Sequence, residues 1–428
     1  MARRRELSVP GPRSAALASR LRRHEQRNVT YFAEDFPIFW ESARGAVVVD
    51  VDGNEYVDCT AAFGVANAGH ANPSVMRAVS RQAQQLAHGM GDVHPTEVRV
   101  LLLERLSGIL PPPLTTGFLA TTGSEAIEAA LKTAMLVTGK SRFAAFEGGY
   151  HGLSFGALAV GGIAKFREPF SQVLRTEPVL LDYPRLGRVG AAQAAAEARD
   201  TLRAHDDLAA IVVEPIQGRG GAVVPPAGFL GELRVICDDL RILMIVDEIF
   251  TGFGRTGRWF AIDHENVVPD IICTGKAMGS GIPISAAMGR RAIMDAWPLS
   301  TGEALHTSTY LGNPIACAAA IATIDEMGRC DLPLRAATLG NMLGNRLRGL
   351  SRFRGVTDVR GVGLLWGVQL RDGATAAVVV RRALRAGVVL LQSGVQGETI
   401  ALSPPLTIET EQLMHAADVL ERALKEEE

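Results

Sequence analysis

The chain has 428 residues, 47% of them apolar and 21% charged, with a formal net charge of −2. That length allows a large buried core and two or three domains, and the composition is that of an ordinary globular protein. The near-neutral balance gives no general affinity for nucleic acid or a membrane surface, and no apolar run reaches the roughly 18 residues that span a bilayer.

Five cysteines, Cys59, Cys237, Cys273, Cys317 and Cys330, are scattered without a C-x-x-C pair. They read as reduced thiols of a cytoplasmic protein, not as a disulfide framework or a metal site. Eight arginines fall within the first 27 residues, with no apolar h-region after them. A secretory signal does not fit that pattern. An arm or helix packed on a partner subunit does, and composition alone leaves a transit peptide open.

Residues 47–58 alternate apolar and polar around Asp52-Gly53-Asn54, which predicts a β-hairpin. Helices are expected over 73–88 and 95–109, the second with Pro95 in its first turn and Pro111-Pro112-Pro113 as its stop. Strands are expected over 118–120, 143–146, 209–213, 242–246 and 271–273, with a helix over 125–138. Apolar strands spaced by helices predict an α/β architecture whose mostly parallel sheet is covered on both faces. Ligands of such sheets sit beyond the carboxyl ends of the strands. Ser124, Glu214, Asp247 and Lys276 each fall at or just past such an end.

From about Met327 the pattern changes: strand over 359–370, helix over 375–386, strands over 388–391 and 399–402, and a helix over 410–425. This reads as an α+β end region that the N-terminal hairpin joins. The expected division is an arm and hairpin over 1–74, a large domain over 75–326, and a small α+β domain over 327–428.

Three short stretches carry the chemistry. In Thr121-Thr-Gly-Ser-Glu-Ala126, Gly123 and Ser124 lie between a strand and a helix start. Free N–H groups and the positive dipole end suit a phosphate dianion there, although Ser124 also fits a plain N-cap. No dinucleotide fingerprint closing a strand and no Walker loop is read, so nucleotide binding falls away. Asp247 ends an apolar run and needs a positive partner. A pyridinium N–H provides one and keeps the ring an electron sink; a structural salt bridge is the alternative, while no His/Cys cluster nearby supports a metal.

Lys276 is one of only five lysines in a chain with 44 Lys plus Arg, and it sits among small uncharged residues from Cys273 to Gly281. Desolvation lowers a lysine's pKa and frees the amine for a Schiff base. Phosphate, pyridine nitrogen and aldehyde together describe pyridoxal 5′-phosphate. Tyr150, beside His151, suits stacking on the pyridine ring or simple core packing; Ile249 suits the opposite face. Thr309 suits a phosphate or is a loop hydroxyl.

Taken together, Asp50-Val-Asp-Gly53, Gly69-His-Ala-Asn-Pro73, Thr122-Gly-Ser-Glu-Ala126 and Phe146-Glu-Gly-Gly-Tyr-His-Gly152 resemble the class III aminotransferases, fold type I enzymes of pyridoxal phosphate. So do Val213-Glu-Pro-Ile-Gln-Gly218, Val246-Asp-Glu-Ile249, Thr251-Gly-Phe-Gly-Arg-Thr-Gly257, Thr274-Gly-Lys276 and Gly312-Asn-Pro314. The resemblance implies a seven-stranded, mostly parallel sheet and a homodimer with sites at its interface. It implies that Lys276 holds the cofactor and moves the proton, that Asp247 pairs with the pyridine nitrogen, and that Gly123 and Ser124 bind phosphate. Tyr150 and Ile249 would sandwich the ring, and Thr309 would act from the neighbouring subunit. An amine or amino-acid donor and a 2-oxo acid acceptor would react in turn. An aminomutase or amino-acid epimerase is the nearest alternative, then a decarboxylase or lyase, and last a non-catalytic regulator.

Two positions depart from the family. Phe250 stands where many members have a glutamine that contacts the cofactor's phenolic oxygen. Ala401 stands three residues before Pro404-Pro405, where members acting on α-amino acids or 4-aminobutyrate carry an arginine. Glu214, which gates that arginine in relatives, lacks its expected partner. The departure points to an amine, diamine or ω-amino donor not held by a C-terminal arginine clamp, with Arg219 or another arginine as the alternative that would replace the clamp.

Overall fold

A computed structural model describes residues 7–33, 35–174 and 177–427. Arg3, Arg4 and Arg5 of the basic N-terminus lie outside the described residues. The strands, in chain order, are β1 (Trp40–Arg44), β2 (Val47–Asp50), β3 (Glu55–Asp58), β4 (Leu114–Ala120), β5 (Arg142–Phe146), β6 (Val179–Leu181), β7 (Leu208–Val213) and β8 (Leu243–Asp247). They continue with β9 (Ile271–Thr274), β10 (Ser285–Arg290), β11 (Val356–Val362), β12 (Leu365–Leu370), β13 (Val388–Val389), β14 (Leu391–Ser393) and β15 (Thr399–Leu402).

The predicted hairpin is present: β2 and β3 pair antiparallel with Val47 opposite Val57. Gly53, at φ +82°, supplies the left-handed turn position. Buried Asp50 fixes the turn by accepting from Asp52 N (2.9 Å), Asn54 N (2.8 Å) and the Tyr56 hydroxyl (2.7 Å). The helix Pro12–Leu21 docks on the same turn, where Asp52 accepts from Arg13 N (2.7 Å) and Ser14 N (2.9 Å).

Seven strands form the central sheet in the order β4-β10-β9-β8-β7-β5-β6. All neighbours are parallel except at β10, which runs antiparallel to β4 and β9. Strand residues divide between two apolar clusters: Ile211, Val213, Met244, Val246 and Ile272 pack on one face, Ala210, Val212, Ile245, Ile271 and Cys273 on the other. The first face meets Leu230, Leu233 and Ile236 of the helix Phe229–Leu240. The second meets Ala126, Ile127, Ala129 and Ala130 of the helix Gly123–Thr138. Alanines on that helix let it lie close to the sheet, which fixes where its N-terminus points.

The outer sheets join distant parts of the chain. In one, β1-β2-β3 is completed by β13, parallel to β3 with Val57 opposite Val388. The other is β11-β12-β15-β14.

Several boundaries differ from expectation. The 118–120 strand starts earlier, at Leu114, and the 95–109 helix starts at Glu97, leaving Pro95 outside it. The 359–370 run is two strands turning at Gly363, φ +57°. The 388–391 run divides between two sheets. β1, β6 and β10 were not expected. β10 reads Ser-Ala-Ala-Met-Gly-Arg, residues of low strand propensity, and pairing on both sides overrides that preference. Among the described residues, no helix is long and apolar enough to cross a membrane. Four of the cysteines are buried and Cys330 is exposed.

Candidate active site

Beyond the carboxyl ends of β4, β7, β8 and β9 lies a cavity of about 630 Å³. Gly123, Ser124, Tyr150, His151, Glu214, Asp247, Ile249 and Lys276 all line it. Thr309 does not; it is exposed on its own chain.

The helix Gly123–Thr138 points its N-terminus into the cavity. Thr122 caps it through a capping box with Glu125: Glu125 N donates to Thr122 Oγ1 (3.3 Å), and Glu125 Oε2 accepts from Thr122 N (3.0 Å). The box satisfies the third helical N–H and leaves those of Gly123 and Ser124, which have no intrahelical acceptor. No side chain fits at the neighbouring glycines. A Cβ on Gly123 would lie 2.9 Å from Ile249 Cδ1, and one on Gly152 only 2.0 Å from Ser124 Oγ. The result is a cup of donors walled by backbone, suited in size and sign to a phosphate.

Asp247 ends β8 and is 4% exposed. Its Oδ1 accepts from Ile249 N at 3.0 Å, and its Oδ2 meets His151 Nδ1 at 2.8 Å. Burial disfavours the His151 imidazolium, but the hydrogen bond and the charges of Asp247 and Glu214 outweigh it, so its pKa lies above 6.5. His151 thus fixes the carboxylate from the side, a link that neither residue's sequence context revealed.

Lys276 follows β9 in the left-handed region, φ 44°, at the start of a 3₁₀ turn, Lys276–Gly279. Burial pulls its pKa below the ordinary lysine value, partly opposed by Asp247 and Glu214. Its Nζ stands 4.8 Å from the centre of the Phe250 ring. Phe250 is itself wedged between glycines, since a Cβ on Gly64 or Gly218 would approach the ring to 3.0 or 2.8 Å.

Glu214, also buried, accepts from Tyr150 N (3.0 Å) and Gly218 N (2.9 Å), so it joins the loop after β7 to the loop carrying Tyr150. Burial pushes its carboxyl up to about 7, against the pull of His151. Tyr150 packs edge-on against Phe166, with centroids 5.8 Å apart.

Sequence reasoning missed Phe63, Phe166, the segment 281–284, Leu391, Gln392, Ser393 and Ser403, all of which line the cavity. Gly252-Phe-Gly-Arg-Thr-Gly257 has dinucleotide-fingerprint spacing that the reading passed over. It folds into turns around fully buried Arg255, which donates to Leu364 O (2.9 Å) and Pro404 O (2.6 Å) and opens no nucleotide cradle. Among the described residues, no group of three or more His, Cys, Asp or Glu is placed to hold a metal.

Known proteins share this fold. Residues 30–424 match the family described as aminotransferase class-III. An amine transaminase from an uncultivated Pseudomonas species, solved in its PLP-bound internal aldimine form, is 32% identical over 94% of this chain and 98% of its own, with a TM-score of 0.87. The ornithine aminotransferase of Toxoplasma gondii ME49 is 29% identical over 97% and 96%, with a TM-score of 0.86. The omega transaminase of Pseudomonas jessenii, in complex with PMP, is 25% identical over 96% and 98%, with a TM-score of 0.89.

A fold type I architecture with a donor cup, a buried carboxylate and a desolvated amine facing one cavity is that of a pyridoxal-phosphate enzyme. The chain belongs to the class III aminotransferases. It is a transaminase, and its cofactor is pyridoxal 5′-phosphate.

Proposed function

We propose that this transaminase takes its amino group from a simple amine, a diamine or an ω-amino compound and passes it to a 2-oxo acid. The observation that carries the reading is Ala401, a methyl group lining the cavity where a C-terminal arginine clamp belongs in relatives that hold a donor carboxylate. Apolar Phe63, Val65, Phe166, Ile282 and Ile284 line the same cavity and suit the hydrocarbon part of such a donor.

When bound, pyridoxal phosphate supplies an aldehyde for amines and a ring that accepts electrons. The chain's own groups do the rest. Gly123 N, Ser124 N and the Ser124 hydroxyl would donate to the phosphate, and Asp247, held at Oδ2 by His151, would pair with the pyridine nitrogen. Ile249, packed on Gly123, and Tyr150 would confine the ring between them. Lys276 Nζ, kept basic enough to accept a proton and desolvated enough to release it, carries the proton from the substrate's α-carbon and returns it on the other side of the exchange.

The working unit is proposed to be a cytoplasmic homodimer in which Thr309 of a second copy completes the phosphate site; the exposure of Thr309 on its own chain supports that reading. The proposed division into residues 1–74, 75–326 and 327–428 keeps the cup, Asp247 and Lys276 in one large domain.

Single-amine titration of the holoenzyme without acceptor, followed by absorbance, tests the function. Stable conversion to the aminated cofactor ranks the donors. A spectrum that returns while the donor is isomerised or racemised marks an isomerase instead. Glutamate or 4-aminobutyrate serving as well as simple amines refutes the donor reading. Lys276→Ala is expected to fold and to show no turnover, and full activity in that variant overturns the assignment of Lys276.

A further inference from the structure

We propose that Arg219 binds the carboxylate of the 2-oxo acid acceptor, replacing the absent arginine at Ala401 from the middle of the sequence. The inference rests on the transaminase reading above: a 2-oxo acid brings a carboxylate into a cavity that is otherwise largely apolar.

Among the described residues lining the cavity, Lys276 and Arg219 are the only lysine and arginine. With Lys276 assigned to the chemistry, Arg219 is the remaining permanent cation. It follows Gly218 in the loop after β7, and that loop is tightly clamped. Gly218 N donates to Glu214 Oε2 at 2.9 Å. A Cβ on Gly218 would lie 2.8 Å from the Phe250 ring, and one on Gly220 2.7 Å from Gly148 O. The Gly394 turn holds the arginine from both directions: Arg219 Nη1 donates to Gly394 O (3.0 Å), and Arg219 O accepts from Gly394 N (2.9 Å).

The guanidinium is therefore held in place but not neutralised. Among the described residues Arg219 makes no ion pair within 4.0 Å. Two acids that border these loops are otherwise engaged. Glu214 accepts from the two backbone N–H groups of Tyr150 and Gly218. Glu398 lowers the cost of the charge from a distance, but its Oε2 accepts from Gln396 N at 2.9 Å. Burial draws the Arg219 pKa below its ordinary value, against Tyr150 and Glu398, the mark of a cation short of an anion. A guanidinium has five N–H donors, and one is committed here, to Gly394. The remaining donors form the planar fork that matches a carboxylate.

This arrangement separates two demands on one cavity. The donor amine needs no charged partner beyond the cofactor, whereas the acceptor always carries a carboxylate. An arginine on the β7 loop serves the acceptor and leaves the Ala401 side open to hydrocarbon.

The test compares wild type, Arg219→Gln and Arg219→Lys holoenzymes in separate half-reactions, with 1-phenylethylamine as donor and pyruvate as acceptor. Propanoate serves as a non-reacting carboxylate, its dissociation constant read from the perturbed absorbance of the bound cofactor. In Arg219→Gln, KM for pyruvate and Kd for propanoate are expected to rise roughly 10- to 100-fold, the range for loss of charge-assisted hydrogen bonds. The effect on the amine half-reaction should be much smaller. Arg219→Lys, a point charge without the fork, should fall between the two. Unchanged propanoate and pyruvate binding in Arg219→Gln overturns the proposal, and so does an equal loss in both half-reactions, which marks a structural role. A wild-type enzyme that amines fail to convert refutes the amine-donor reading instead, so the two failures are distinguishable.

Discussion

Asp247→Asn removes a charge while nearly conserving shape, and the structure sets two different magnitudes for the two consequences. In the free chain the carboxylate accepts from Ile249 N (3.0 Å) and His151 Nδ1 (2.8 Å). Asparagine keeps one of those acceptors, and a neutral His151 can change tautomer to meet the amide, so at a pH above the folded His151 value folding should lose only the ~0.5–1.5 kcal/mol of an ordinary hydrogen bond. Opposite a protonated pyridine the same substitution breaks a buried ion pair, worth ~3–5 kcal/mol, so at ~1.4 kcal/mol per tenfold the amine half-reaction should slow by roughly 10² to 4 × 10³. Stopped-flow single turnover, beside denaturant unfolding of the same samples, separates the two. The stability difference also has a pH signature. The His151 pKa is raised in the folded chain, so its contribution is full below the ordinary value of 6.5 and disappears as pH rises through the folded value. The gap between wild type and variant should thus be widest below pH 6.5. A half-reaction rate within an order of magnitude of wild type would refute the reasoning.

The other predictions concern the walls of the site. Gly152→Ala places a Cβ 2.0 Å from Ser124 Oγ at a φ of +116°, so Ser124 must move, at the ~1–3 kcal/mol typical of overpacking. The variant should lose pyridoxal phosphate on dialysis far faster than wild type, and wild-type retention would contradict the phosphate-cup assignment. Glu214, with its carboxyl held up to about 7, binds its proton more tightly folded than unfolded, so its effect on stability becomes less favourable as pH rises from 4.5 to about 7. Glu214→Gln should flatten the melting temperature across that window while lowering it throughout, because one of the Tyr150 and Gly218 N–H groups loses its acceptor; an unchanged pH slope would exclude Glu214 as its source.

The sequence made the centre of the site legible because chemistry constrains residue type there. A scarce lysine among small residues, an acid ending an apolar strand and a Gly-Ser at a helix start each announce themselves locally, and all three line the cavity. Buried parallel strands were legible for the same reason: β7 is apolar at all six positions. What was hidden depends on distant pairing. β10 has a weak local preference and exists because β4 and β9 flank it. The 388–391 run looked like one strand because nothing local marks where its hydrogen bonds change partners. His151 was legible as a neighbour of the cofactor but not as the partner of Asp247, since that bond crosses 96 residues of chain. Phe63 lines the cavity at φ 64°, a conformation that its side chain does not advertise.

The parallel pairing of β3 with β13 has a consequence for how the molecule is made. Val57 emerges from the ribosome long before its partner Val388. Until then β3 has β2 on one side and an open edge on the other, the kind of surface that invites pairing with a foreign strand. A parallel contact of such long range also closes slowly. The N-terminal sheet of each newborn chain is thus a vulnerable edge in the cell, protected only once a strand far along the chain has been made. Fragments ending before residue 388 should carry that exposed edge permanently and aggregate, however sound the cavity they retain.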